Sequence, residues 1–362
     1  MRKIIYAILI LLTIYYVSTH YEELKQVLEV FGEGDGRWLW AAVGVQILWM
    51  VNIAAAFQAC YDIMGVKERL ARLVVLTSAA IFVNVVVPTY GIGTVAVLVT
   101  DGYQRGRPAG KVWTAVFIYT LFDYLGFMVV LLPAMIILDQ LGAMNIVFIT
   151  AGLFAAAVAL VLVAMTFLGI WSETKMVGTV SALVTLVNKA LHSFLRRDLI
   201  HLLRAKIFAH EISDGLGQIR RAPRSLLAPG ALALSRKVLM MTILYFVSKA
   251  FHHPLSLDIL LATFGISYLF SVASLTPSGV GIVEGAMVVT LVTLNVPLAT
   301  AVAIALAYRG ITLWLRLAYG GLALLWFGYK PSATVRANKV VANPSSEDHP
   351  LSPLDTEDNK SV

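Results

Sequence analysis

Runs of apolar residues long enough to cross a bilayer recur along this chain. A bilayer core takes about 20 apolar residues per helix, and residues 38–60, 112–138, 146–170, 231–251 and 299–327 each fit that length. A shorter run at 4–17 follows Arg2 and Lys3, as a signal peptide would, but Val17-Ser18-Thr19-His20 offers no small-x-small cleavage site. The run therefore reads as an uncleaved first span.

Two further apolar stretches are interrupted. Residues 73–100 are broken at Val87-Pro88, and residues 258–295 at Pro277-Ser278-Gly279-Val280-Gly281. Proline removes a helix hydrogen bond and biases its predecessor away from the helix, and the glycines Gly91, Gly93, Gly279 and Gly281 permit a reversal. The pieces of the first stretch are 15 and 12 residues, short for full spans.

Lysines and arginines in short loops set orientation. The 18–37 loop carries five carboxylates against Lys25 and Arg37 and reads as outside. Lys67, Arg69 and Arg72 mark the next loop as inside, as do Arg105, Arg107 and Lys111. The 172–228 loop, with nine Lys or Arg against four acids, also reads as inside. Both flanks of 73–100 are thus inside, so that stretch enters and leaves by one face as a re-entrant hairpin. The stretch 258–295 starts and finishes outside, as a second hairpin or a pair of full crossings. Span, broken hairpin, span occurs twice, at about 38–138 and 231–327. That pattern predicts an inverted-repeat, all-α membrane helix bundle. Irregular backbone at membrane depth is tolerated where protein or a watery cavity surrounds it, so the two broken tips are the candidate site.

Composition agrees. The chain has 362 residues, 59% apolar and 14% charged, with a mean hydropathy of +0.81, outside the range of soluble domains. The net charge of +7 is accounted for by loop topology, so nucleic acid is not expected as a partner. Cys60 stands alone, which excludes an internal disulfide and a multi-thiolate zinc site. No cofactor motif is present: Gly91-Ile92-Gly93 lacks the third glycine and the strand–helix setting of a dinucleotide fingerprint. Residues 331–362 are polar without an apolar period and read as a disordered cytoplasmic tail, after a membrane domain covering 1–330.

Ionisable groups inside apolar spans are costly and mark function by default. Asp123 lies mid-span, Glu284 just past the second tip, and Arg309 and Arg316 in the last span, seven residues apart and so roughly on one face. Asn84 sits one turn before Pro88, in reach of backbone freed by the break. One reading is a polar cavity in which Arg309 meets an anionic headgroup while Glu284 and Asp123 orient it. The other is that Glu284 and Arg309 pair to lock helices, with Asp123 bonding backbone. Arg316, nearer the inner face, reads as snorkelling or paired. Residues 183–210, apolar at helical spacing with basic residues between, predict a helix either lying on anionic lipid at the inner surface or bracing the two halves. His192, His201 and His210 recur every nine residues, which alternates helix faces and speaks against a metal site there.

These motifs resemble a known family. Pro277-Ser-Gly-Val-Gly-Ile-Val-Glu284, followed by Ala307-Tyr308-Arg309, resembles the membrane part of lysylphosphatidylglycerol synthase/flippase proteins, and Asn84 to Pro88 and Asp123 fit its first half. Relatives often carry Gly-Glu where this chain has Gly93-Thr94, and a Glu-Arg pair where it has Tyr119-Thr120. That departure implies a less charged headgroup in the first half, or none. The resemblance implies a multi-pass plasma-membrane protein with cytoplasmic termini that moves a phospholipid or lipid-linked sugar between leaflets. The transferase domain of the full-length synthases has no counterpart in the 32-residue tail, so synthase activity is not implied. Two other classes stay open: a scaffold or regulator of lipid or glycan synthesis, and a membrane-embedded transferase acting on a lipid carrier.

Overall fold

The computed structural model describes residues 18–86, 92–142, 144, 146–195, 202–219, 223–274 and 277–327. The first apolar run at 4–17 and the tail at 331–362 lie outside these residues, as do Pro88 and Gly91. Every regular element among the described residues is helical.

A 13-residue helix, α1 (Tyr21–Glu33), precedes the first long span, α2 (Gly36–Ile63). Asp35 caps α2, its carboxylate accepting from the Arg37 backbone N–H at 2.9 Å. The first interrupted stretch forms α3 (Leu70–Val86) and α4 (Ile92–Gln104), followed by the long spans α5 (Ala109–Gln140) and α6 (Ile146–Trp171). Two helices, α7 (Glu173–Leu195) and α8 (Leu202–Ile219), then lead to α9 (Leu227–Ala250). The second interrupted stretch is α10 (Leu257–Ala273), a tight turn at Pro277–Gly279, and α11 (Ile282–Thr293). The last span comprises α12 (Leu298–Arg309), a π-helical turn (Gly310–Trp314) and α13 (Leu315–Phe327).

Among the described residues, five helices are long and apolar enough to cross a membrane, and they coincide with the five long runs expected from sequence. At 1.5 Å per residue, α4 and α11 extend roughly 20 Å and 18 Å, short of a hydrocarbon core of about 30 Å.

The packing crosses between the two halves. α2 and α9, the opening spans of each half, make the most extensive contact among the described helices. The first arm of each hairpin packs on the closing span of the other half: α3 against α13, and α10 against α5. Lipid tails supply no hydrophobic force between helices, so such contacts rely on close approach at small residues. A side chain at Gly265 of α10 would meet the Ala134 Cβ of α5 at 2.5 Å, and one at Gly320 of α13 would meet the Ser78 carbonyl oxygen and Phe82 Cβ of α3 at 2.8 Å each.

Of residues 183–210, the described ones lie in α7 and α8. α7 and α8 pack on one another, and α8 packs against α5 and α6 with Ala209, Ile212 and Leu216 buried. The Ser213 hydroxyl donates to the Gly169 carbonyl at 3.0 Å.

Gly320→Ala forces backbone of α3 or α13 to shift and is expected to lower stability by about 1–3 kcal/mol. Gly44→Ala, where nothing lies within 4 Å of the added carbon, is expected to be neutral or better. Equal melting temperatures for the two variants in detergent would overturn the α3–α13 contact.

Candidate functional site

The centre of the fold is a carboxylate shared by two cations. Asp123 on α5 accepts from Arg236 Nη2 at 2.6 Å and from Lys237 Nζ at 2.7 Å on one oxygen, and from the Tyr268 hydroxyl of α10 at 3.0 Å on the other. Arg236 and Lys237 are consecutive residues of α9, with side chains 4% and 2% exposed, whereas Asp123 is 23% exposed. The cations are therefore buried in protein, and the carboxylate is the more exposed partner. α9 comes this close because Gly126, one turn after Asp123, has no side chain; an added carbon there would meet the Ala233 carbonyl oxygen at 3.3 Å.

Aromatic faces complete the cradle. The Arg236 guanidinium lies 4.7 Å from the Tyr119 ring centroid, and Lys237 Nζ lies 3.9 Å from that of Tyr268. Tyr119 stacks on Phe57 of α2 at 4.0 Å, and Phe127 backs Tyr268 at 4.6 Å. Ring quadrupoles attract cations more strongly where water is excluded. The Tyr119-Thr120 pair thus places an aromatic platform beneath a cation supplied from the other half of the chain.

A second cluster forms at the tip of the second hairpin. Arg309, at the end of α12, pairs through Nε with Glu284 in the first turn of α11 and donates from Nη2 to the Ser278 carbonyl at 3.0 Å. That carbonyl belongs to a turn in which Ser278, Gly279 and Gly281 all have positive φ, at 54°, 71° and 80°. Glycine takes such angles without strain. The Arg309 side chain holds the turn and the Glu284 carboxylate together, and the Pro277–Gly279 turn itself packs on α3 of the first hairpin.

Arg316 faces elsewhere than Arg309. Its guanidinium lies 4.1 Å from the Trp49 ring centroid of α2 and reaches Met240 Sδ of α9 at 3.5 Å. The expectation that the two arginines share a face assumed continuous α-helix. The π turn at Gly310–Trp314, marked by a bond from the Leu315 N–H to the Gly310 carbonyl, adds one residue to a turn and rotates the downstream helix by about 100°. Arg316 stays in the same electrostatic neighbourhood, with Tyr119 within range of both it and Arg236, and Tyr308 within range of both it and Arg309.

Several buried polar atoms around these clusters make no hydrogen bond among the described residues: Arg236 Nη1, Arg316 Nε, Glu284 Oε2 and the Tyr308 hydroxyl. Buried polar groups are almost always satisfied, so an orphaned group calls for a water, ion or ligand.

Of the residues singled out in the sequence, Asp123, Gly279, Gly281, Glu284 and Arg309 fall in or beside these clusters, with Pro277 opening the turn. Asp123 bonds side chains of α9 and α10 rather than backbone. Asn84 donates to the Thr94 hydroxyl of α4, tying the two arms of the first hairpin side chain to side chain. Gly93 lies in the first turn of α4, beside that tie. Arg236, Lys237, Tyr119 and Tyr268 were not anticipated. Two adjacent cations inside the 231–251 run were the signal that could have found the first pair. On the α7–α8 pair, the exposed His210 lies between Glu173 and Asp214; His192 and His201 are outside the described side chains.

The arrangement fits a wider pattern. Residues 4–320 match the family described as lysylphosphatidylglycerol synthase TM region. The chain belongs to this family. No curated protein and no solved structure matches it. Membership makes it a multi-pass helical membrane protein, and both charge clusters lie within the matched region.

Asp123→Asn removes the counter-charge of both Arg236 and Lys237 and is expected to cost about 3–5 kcal/mol of stability. Lys237→Met leaves Asp123 paired with Arg236 and costs less. The double variant is expected to be more stable than the sum of the single losses implies. Additivity within about 0.5 kcal/mol in thermal unfolding would refute the shared carboxylate.

Proposed function

We propose that this protein moves a lipid, or the headgroup of a lipid-linked sugar, between membrane leaflets through the polar region joining its two charge clusters. One observation carries the reading: deep inside apolar runs, Arg236 and Lys237 share Asp123 and Arg309 pairs with Glu284, while Arg316 makes no ion pair among the described residues. Each cation in a bilayer interior costs roughly 2.5–3.5 kcal/mol on insertion scales, so an unbalanced surplus favours an anionic partner such as a headgroup phosphate. The orphaned atoms Arg236 Nη1 and Arg316 Nε, buried in this structure, are the donors it would meet once the helices around them part, while acyl tails stay in the bilayer. The crossed packing of the two halves supports an inverted repeat with the hairpins as its moving or gating parts.

The positive-inside pattern supports a plasma-membrane orientation with both termini in the cytoplasm. The basic residues of 183–210, on the same side, extend the reading to contact with anionic lipid at that surface. No transferase chemistry is assigned to the chain, and transport is passive or coupled to a gradient through its intramembrane carboxylates. A second reading rests on the Arg309–Glu284–Ser278 contact: because these groups hold the hairpin tip, they suit a purely structural role in a scaffold for lipid or glycan synthesis.

Reconstituted protein is expected to exchange labelled phospholipids or a lipid-linked sugar between the leaflets of liposomes. Arg316→Gln and Glu284→Gln are expected to slow exchange roughly tenfold or more, a loss corresponding to about 1.4 kcal/mol. Absence of exchange of any lipid by folded wild-type protein would sink the translocator reading in favour of the scaffold. So would full exchange by both folded variants.

A further inference from the structure

The segments that bracket the first hairpin converge at one end of it. Residues 67–72 span the start of α3 and residues 105–107 come after α4, and together they line an open cavity of about 650 Å³. Its wall is Lys67, Glu68, Arg69, Arg72, Arg105 and Arg107, five cations and one carboxylate. The adjoining Asp101 carboxylate, 11% exposed, pairs with Arg72 and lies 3.7 Å from Arg105 Nε. Glu68, 7% exposed, pairs with Arg107 and lies 3.6 Å from Arg72 Nε. These two carboxylates tie the α2–α3 loop to the end of α4.

A tie of that kind accounts for Arg72 and Arg107 but not for the rest. Lys67 and Arg69 are exposed and make no ion pair among the described residues, and Arg105 is 40% exposed. The buried Nη1 of Arg107 has no hydrogen-bond partner there either. Five positive charges against two negative leave a surplus of three around one cavity. We propose that this cavity binds a polyanionic phosphate group, a phosphomonoester or a diphosphate, either free or as the headgroup of a lipid. Guanidinium forks match phosphate oxygens in geometry, and their orientation here is fixed in advance by Glu68 and Asp101. A phosphodiester, with a single negative charge, would leave two of the three surplus charges uncompensated. The N-terminus of the 17-residue α3, which starts at Leu70 beside the cavity, adds partial positive charge. The site is separate from the Asp123 and Glu284 clusters and does not depend on translocation.

The test uses the full chain in nanodiscs of phosphatidylcholine, titrated with inorganic pyrophosphate, inorganic phosphate and dimethyl phosphate. Pyrophosphate is expected to bind at least tenfold more tightly than dimethyl phosphate, and more weakly as salt rises. A Lys67→Gln/Arg69→Gln variant, which breaks no ion pair, is expected to lose about tenfold in pyrophosphate affinity with an unchanged melting temperature. Farnesyl diphosphate incorporated in the nanodisc separates the sources. Displacement of it by pyrophosphate supports a lipid headgroup, and pyrophosphate binding without any retention of the prenyl lipid supports a soluble ligand. The proposal is overturned if folded wild-type protein fails to bind pyrophosphate, if the variant binds it equally, or if dimethyl phosphate binds as tightly. Leaflet exchange that persists without pyrophosphate binding would remove this site and leave the translocator reading standing.

Discussion

Holding cations inside apolar spans is the constraint to which the rest of this structure answers. Asp123 meets it by serving Arg236 and Lys237 on one oxygen and Tyr268 on the other. In a low-dielectric interior such a carboxylate acts strongly on both cations, and removing it would leave two uncompensated charges. The groups converge from α5, α9 and α10, with Tyr119 and Phe57 bringing α2 into the same assembly. One ionised side chain therefore fixes the mutual placement of four helices drawn from both halves of the chain.

The crossed contacts arise from the same need. A carboxylate in the first half can reach cations in the second only if α5 and α9 approach closely, and Gly126 against Ala233 allows that approach. Gly265 against Ala134 and Gly320 against Phe82 repeat the device where each hairpin meets the opposite closing span. The hairpins are thus clamped by backbone proximity as well as by packed side chains, Phe82 with Leu317 at one contact and Leu131 with Ile266 at the other. In hydrocarbon, where apolar side chains gain little by leaving lipid for protein, that is an effective way to hold helices together.

The spans were legible because their length is set by the bilayer, and the breaks because Pro277, Gly279 and Gly281 are residues a continuous helix avoids. Glu284 and Arg309 were legible as a pair because ionised groups are rare in such runs and their motif spacing is distinctive. The partners of Asp123 were not. They lie 113 to 145 residues away, and nothing local encodes which helix will face which. The 183–210 stretch was legible only as helix: apolar residues at three-and-four spacing describe equally a helix on a membrane surface and one braced against a bundle. The α8 contacts with Thr114 and Gly169, which hold its described part against α5 and α6, are tertiary.

The π turn was also hidden from sequence, since Gly310 is its one unusual residue and glycine is common in membrane helices. Its packing explains the wider coil: Gly310 lies against Val27 and Phe31 of α1, where an added carbon would meet them at 2.6 Å and 2.7 Å. The Thr312 hydroxyl donates to the Tyr308 carbonyl at 2.8 Å, satisfying backbone beside the irregular turn. Chain length between the two arginines, more than the identity of the residues there, consequently decides what Arg316 confronts. Deleting one residue from this turn would leave every side chain chemistry intact and an ordinary α-helix in its place, yet swing Arg316 away from Trp49 and Met240. The last span carries its geometry as a count.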